Sequence, residues 1–272
     1  MNRAVVKRIA IGLQYDGQAW QGYQKQAHGL TVQDKLEQAI LSFATVPLAT
    51  TCAGRTDAGV HAAEQVVHFD TDLNRRTHAW VRGINAFLPP SIGVRWAKVL
   101  DGDPTVDNFF HARFSAQART YHYVLYNNNT RSPLLNGRAG FCHYPLDVER
   151  MQEAVKPLIG MHDFTAFRAA QCQAKSPVKL MHDIQIRRQG DLIILTLKAN
   201  AFLHHMVRNL VGALVYIGQG REEVSWMGEL LTAKNRSLAA PTFMPDGLYL
   251  AKIDYDEKWA LPQESSGQLP WF

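Results

Sequence analysis

Between Gly54 and Gly59 the chain carries Arg55, Thr56 and Asp57, and His61 follows closely. The full stretch, Cys52 to Ala62, is otherwise made of small residues that leave Asp57 uncovered. Two glycines five apart let a backbone bend tightly and approach a ligand. A positioned, ionised carboxylate can act as a nucleophile or a general base. Arg55, two residues earlier, can keep it ionised by charge and hydrogen bonding. The same two residues can also pair in a turn for structure alone, and residue types do not choose between these readings. Arg208 is the second candidate. At the start of an apolar helical stretch it can pair with a carboxylate across a cleft or hold a phosphate. A solvated helix-face arginine is its plainer reading. Tyr121 is the third. It can stack on a base or move a proton, or simply be a half-buried strand aromatic.

The elements that must position these residues follow from periodicity. Ile9, Ile11, Leu13 and Tyr15 alternate as a strand, and Asp16-Gly17 ends it. The loop Trp20 to Gln26 mixes aromatics, amides and a cation, so Gln24 and Lys25 can meet phosphate or sugar. Thr31 reads as a helix N-cap with Asp34 three residues on, and Val32, Leu36, Ala39, Ile40 and Phe43 form one face. Gln65 to Phe69 is the strand leaving the Asp57 loop. A second helix is expected over Thr77 to Leu88, striped by Trp80, Ile84 and Phe87 and stopped by Pro89-Pro90. Val94 to Val99 is the next strand. The turn-rich Leu100 to Pro104 marks a border between two halves, 1–107 and 108–272.

In the second half, Tyr121 to Tyr126 is a strand directly after Arg119. Asp147 caps a helix that Gly160 closes. Met161 to Val178 shows no period and reads as an irregular loop. Leu180 to Arg188 and Leu192 to Ala199 form a hairpin around Gln189-Gly190-Asp191. Leu203, Met206, Val207, Leu210, Val211 and Leu214 make a strongly apolar helix face, with His204, His205, Arg208 and Asn209 off it. Val224 to Leu231 is another helix and Gly247 to Tyr255 the last strand. A polar surface tail is expected from about Asp256. Strands and helices mix in both halves with hairpins among them, which favours an α+β class over a doubly wound parallel sheet.

At 272 residues, with 46% hydrophobic and 19% charged, the chain can bury a real core. The net charge is +5, and its distribution says more. Asn108 to Leu146, Phe164 to His182 and Leu192 to Arg221 contain no Asp or Glu. They carry Arg113, Arg119, Arg131 and Arg138, then Arg168, Lys175 and Lys179, then Lys198, Arg208 and Arg221. Long segments without a carboxylate suit a surface that meets phosphates.

Other chemistries lack their residues. His204-His205 are adjacent, and neighbours on a helix point about 100° apart, so no metal site is expected. There is no G-x-x-x-x-G-K-[ST], no strand–G-x-G-x-x-G–helix unit and no serine elbow. Cys52 has no evident base beside it. The three cysteines, Cys52, Cys142 and Cys172, suit a reducing cytoplasm. No apolar run approaches the roughly 20 residues of a membrane span, and Met1 to Arg8 offers no secretory leader.

Several ordered motifs now carry a family resemblance. Ala53 to Ala62 resembles the signature of the tRNA pseudouridine synthase A family. The resemblance continues through Phe110 to Ala116, Arg119 to Tyr123, Asp163 to Arg168 and Ala199 to Asn209, and covers Ile9 to about Tyr255. Tyr23 stands where the family usually has Trp. The resemblance implies an isomerase that converts uridine to pseudouridine at positions 38, 39 and 40 in the anticodon stem-loop of tRNA, with no cofactor and no metal. It implies two similar, ferredoxin-like or RRM-like α+β halves. These would form one curved, mostly antiparallel sheet flanked by helices, with a basic cleft between them. Asp57 matches the catalytic aspartate, Tyr121 the tyrosine that stacks on the target base, and Arg208 the arginine that pairs with the aspartate. Whether the carboxylate attacks C1′ or C6, or assists glycal formation, stays open. Arg55, Gln24, Lys25, Arg113, Arg119, Arg168 and His204 are the residues expected to hold RNA. A cytoplasmic homodimer is expected. A non-catalytic RNA-binding protein would use the same basic, aromatic segments, and Asp57 separates the two: a binder has little use for a lone carboxylate beside phosphates.

Overall fold

The computed structural model describes residues 6–262. Its chain divides into two compact units, one of Met1–Gln117 with Leu250–Phe272 and one of Ala118–Tyr249. Strands and helices mix in both, pairing is mostly antiparallel, and five α-helices occur among the described residues. No helix among them is long and apolar enough to cross a membrane.

The first unit is built around β1 (Lys7–Tyr15). It lies between β3 (His61–Thr71) and β4 (Ile92–Leu100), antiparallel to both. A strand with neighbours on both edges and cover on both faces is buried at successive residues, and Ile9, Ala10, Ile11 and Leu13 are at most 1% exposed. Gly12, buried within this run, has no side chain for a reason: a Cβ there would lie 2.1 Å from Trp96 Nε1, so the indole occupies its place. The short β2 (Thr51–Cys52) pairs with β3 and leads into the Asp57 loop.

Helix α1 (Val32–Ala44) starts as its sequence dictates. The Thr31 hydroxyl accepts from the Asp34 N–H and donates to the Asp34 carboxylate at 2.6 Å. Leu36, Ala39 and Ile40 are buried on one face of it. Helix α2 (Thr77–Asn85) is shorter than expected. The residue before Pro89 cannot stay helical, and the Asn85 side chain instead bonds the Val94 N–H and C=O at 2.8 Å each, tying the helix end to β4. Trp80 is fully buried with its edge on Phe43 and Phe69. Phe87, expected on the same stripe, lies past the helix end and is 54% exposed.

In the second unit three consecutive strands lie side by side and an earlier one joins their edge. β5 (Ala116–Asn127) pairs antiparallel with β9 (Leu192–Ala199), which pairs with β8 (Val178–Gln189). The β8–β9 hairpin turns on Gly190-Asp191, with Gly190 at φ +58°. β6 (Gly140–Cys142) joins β5 in parallel and had no signal of its own. The helix expected from Asp147 to Gly160 divides. Asp147 caps α3 (Val148–Ala154), but Pro157 has no N–H to donate, and the chain tightens into a 3₁₀ turn over Lys156–Leu158. The segment expected to be irregular holds β7 (Gly160–Asp163), antiparallel to the start of β8, and a 3₁₀ turn at Thr165–Phe167. Two helices complete the unit, α4 (Met206–Gly218) and α5 (Trp226–Ala233).

The last strand, β10 (Leu248–Tyr255), lies beside β3. Residues 108–117 and those from Leu250 cluster with the first unit. The residues expected to start a surface tail are packed. Trp259 sets its edge against Phe109 and Phe110, and the Lys98 ammonium donates to the Ala260 carbonyl at 2.7 Å. The rest of the expected tail, 263–272, lies outside the described residues.

Candidate active site

The Asp57 loop is held from both ends. On entry, the Ala53 N–H donates to the Val66 carbonyl at 2.8 Å. The fully buried Gln65 amide brackets Gly54, donating to its carbonyl and accepting from its N–H. On exit, the Val60 N–H returns to the Asp57 carbonyl at 3.1 Å, with Gly59 at φ +78°, which suits the third position of a type II turn. Asp57 is half-buried and Arg55 exposed.

A second loop braces the first. The Tyr23 N–H donates to the Thr56 carbonyl at 3.0 Å, and the Gly59 N–H to the Trp20 carbonyl at 3.2 Å. The Tyr15 phenol and the Thr56 hydroxyl share a buried hydrogen bond of 2.8 Å. The Gly17 N–H donates to His61 Nδ1 at 3.1 Å, and the Asp16 carboxylate stands 3.1 Å from the same nitrogen. Contact is so close that a Cβ on Gly17 would lie 2.0 Å from the Val60 carbonyl oxygen. The bracing residues Tyr15, Gly17, Thr56 and Gln65 were not singled out from sequence, because nothing in their types distinguishes a brace from core.

Tyr23, the departure from the family's Trp, is fully buried between the loop and α1 rather than presented to a ligand. Burial, and then the neighbouring Cys52 and Tyr15, raise its phenol well above the usual range. Gln24 and Lys25 face α1: the Gln24 amide donates to Gln33 at 2.9 Å, and the Lys25 ammonium meets Glu37 at 2.9 Å. They fasten the brace, while the Lys25 side chain stays 58% exposed. Burial pushes the Cys52 thiol up to about 11 against the pull of the Arg55 and Arg113 charges, so it is no nucleophile at neutral pH.

In the second unit, Tyr121 sits on β5 opposite Leu197, only 9% exposed, with the edge of its ring 5.0 Å centroid to centroid from Phe202. Two residues away, Arg119 donates to the Asn200 carbonyl at 2.8 Å. Arg208, in the first turn of α4, donates through Nε to the Phe243 carbonyl at 2.8 Å, and the Phe243 N–H returns to the Arg208 carbonyl at 3.2 Å. This fixes the guanidinium's stem and aims the group.

His204 and His205 precede α4 rather than lying on it. His205 is the N-cap, in a left-handed conformation at φ +62°, and the two rings lie 4.0 Å apart. His204 is exposed. Asn209, expected off the apolar face, is fully buried. Arg168 donates to the Cys172 and Ala174 carbonyls at 2.7 and 3.1 Å, which shapes its own loop. Burial works to raise the Cys172 thiol, but the Ala174 and His204 N–H groups and Arg168 draw it below its usual value.

Residues 154–256 match the family model described as tRNA pseudouridine synthase. A protein of Herminiimonas arsenicoxydans named tRNA pseudouridine synthase A is 62% identical over 265 residues, covering 97% of this chain and 96% of its own. One of the same name from Janthinobacterium sp. (strain Marseille) is 61% identical, covering 97% and 98%. Another, from Burkholderia mallei (strain SAVP1), is 57% identical, covering 97% and 96%.

Proposed function

The chain belongs to the tRNA pseudouridine synthase A family, an isomerase family that turns uridine into pseudouridine in tRNA, and on that premise we propose how its residues do so. Asp57 is the carboxylate that starts the reaction. Tyr121 stacks on the extruded uracil and is the candidate for taking the C5 proton. Arg208 is the arginine that pairs with Asp57. The uridines are those at positions 38, 39 and 40 of the anticodon stem-loop. The fold comprises two similar α+β halves, and the working form is a cytoplasmic homodimer.

The reaction exchanges one bond for another at the same sugar carbon. The N1–C1′ bond breaks, the uracil turns, C5 joins C1′, the C5 proton leaves and N1 takes a proton. Substrate and product have the same atoms and oxidation level, so the chemistry asks only for a carboxylate, a proton acceptor and a way to hold the base. Extruding the uridine costs a few kcal/mol of unstacking and pairing, which ring contacts at Tyr121 offset. A carboxylate that must meet an extruded nucleotide needs a fixed backbone. The double bracing of the Asp57 loop supports that role.

The near-full-length identity to relatives named for this activity carries the reading. The test maps pseudouridine in bulk tRNA treated with wild type and with Asp57→Ala. The variant is expected to bind tRNA and to form no pseudouridine; full activity in it would overturn the assignment. Chelation with EDTA is expected to leave the rate unchanged, and a clear drop would instead favour metal-dependent chemistry.

A further inference from the structure

Phe114 is 75% exposed, yet it is not a loose side chain. Its ring stacks on His111, with centroids 4.3 Å apart and planes 28° apart. The His111 ring is itself pinned, because its Nδ1 accepts from the Arg113 and Phe114 N–H groups at 3.1 and 3.2 Å. The His111 N–H donates to the Ser115 hydroxyl at 2.9 Å, and the Ser115 N–H returns to the His111 carbonyl at 2.9 Å. Behind this turn the chain is bolted to the first unit. The Ala112 N–H donates to the buried His68, the Ala112 carbonyl accepts from Tyr255, and the Phe110 carbonyl accepts from Arg8 at 2.6 Å.

A single exposed apolar residue needs no explanation by itself. An aromatic held rigidly out of the core, with a stacked ring behind it and a cation beside it, has the build of a base-stacking platform. The Arg113 guanidinium lies 5.8 Å from the Phe114 centroid. No carboxylate occurs from Asn108 to Leu146 to repel a phosphate. The platform also adjoins the Asp57 loop. His68, which holds Ala112, pairs directly with Thr51 of β2, and Cys52 follows with Val67.

We propose that Phe114, backed by His111 and flanked by Arg113, stacks on an unpaired base of the tRNA next to the uridine served by Asp57. The proposal rests on the tRNA-isomerase reading. The stack adds affinity without reading sequence, since every base has a face to offer. Arg113 meets the backbone phosphate of the same nucleotide.

The test reads tRNA binding in the Asp57→Ala background, where no turnover intrudes, for Phe114→Ala, Phe114→Leu and Phe114→Trp. Ala and Leu are expected to weaken binding about tenfold, Trp to hold it, and all three to melt as the parent does because the ring is exposed. A 2-aminopurine placed at successive positions of the anticodon loop should be quenched at one position by the parent and not by Phe114→Ala. Parent-like binding by Ala or Leu would overturn the platform. So would a fall in sedimenting mass for Phe114→Ala with tRNA binding unchanged, which would make the ring a contact between two copies. Neither result touches the Asp57 assignment, which stands or falls on pseudouridine formation.

Discussion

The phenol of Tyr15, the last residue of β1, and the hydroxyl of Thr56, the residue before Asp57, share a buried hydrogen bond of 2.8 Å. It joins the central strand of the first unit directly to the candidate catalytic loop. Since Thr56 also receives the Tyr23 N–H through its carbonyl, one residue is gripped by strand and brace together. Tyr15→Phe keeps the ring packing and removes only the hydroxyl. It is expected to cost about 1 kcal/mol of stability. Turnover should fall by about an order of magnitude as Asp57 loses its exact placement, with little change in tRNA affinity. Denaturant unfolding and steady-state kinetics check this; a large rise in KM with unchanged kcat would contradict it.

Gly17 tests the same brace by crowding. A Cβ there would sit 2.0 Å from the Val60 carbonyl oxygen, a backbone atom that can yield only if the turn itself moves. Gly17→Ala is expected to push the Val60 end of the turn outward and to lower activity about a hundredfold. The fold should survive, since β1 ends before this residue. Gly22→Ala should act similarly through Thr56, since Gly22 lies at φ +90°. Circular dichroism and pseudouridine formation on tRNA separate loss of activity from loss of fold.

Legibility followed the range of the interactions. The Thr31–Asp34 cap, the alternation of β1 and the Gly190 hairpin are local, written in residues a few positions apart, and the structure repeats them. β7 was illegible because four residues with no period become a strand only when Leu180 and its neighbours offer an edge. The packed Trp259 looked like tail because its partners, Phe109 and Phe110, lie about 150 residues away by sequence number. In the site, residue types left Asp57 and Arg55 open to a structural pairing, and only the ordered motifs of the family resemblance singled Asp57 out. Its brace was not singled out, since a Tyr, a Thr and a Gln in strands and loops carry no mark of what they will grip. The partners of Gln24 and Lys25 were equally unmarked: Gln33 and Glu37 lie nine and twelve residues on, across a turn whose path local residue types do not show.

Asn209 predicts the behaviour of the Arg208 end. It is fully buried, one residue past Arg208 in α4. Its amide donates to the Phe167 carbonyl at 2.8 Å, and its oxygen accepts from Thr242 at 2.7 Å and Arg236 at 3.1 Å. Thr242 precedes Phe243, the residue whose carbonyl fixes the Arg208 guanidinium. Asn209→Ala takes a partner from the buried Phe167 carbonyl and from the half-buried Thr242 and Arg236, and should cost about 1–3 kcal/mol. Activity should fall at temperatures where the fold still holds, because the 242–243 segment loses its anchor. Urea unfolding measures the first effect and initial rates below the transition the second.

The His68–Ala112 bond makes stability depend on pH. His68 accepts the Ala112 N–H through Nδ1 at 3.1 Å, so that nitrogen must be unprotonated. Burial first, then the charges of Arg8 and His111, pull His68 down to about 4, with Asp70 opposing. Arg8 and Asp70 are themselves paired at 2.7 Å, which limits the help Asp70 gives. In the unfolded chain the imidazole titrates near the ordinary value of about 6.5. Between those two values the unfolded chain binds the proton and the folded chain does not. The stabilisation is therefore complete above pH about 6.5, is lost as pH falls toward 4, and flattens below; the loss is up to about 3 kcal/mol. His111 adds in the same direction, since burial and Arg8 lower it too. Melting curves from pH 7 to 4 should show this slope, and His68→Gln, which keeps an acceptor but cannot titrate, should remove most of it. A slope unchanged in His68→Gln would assign the pH dependence elsewhere.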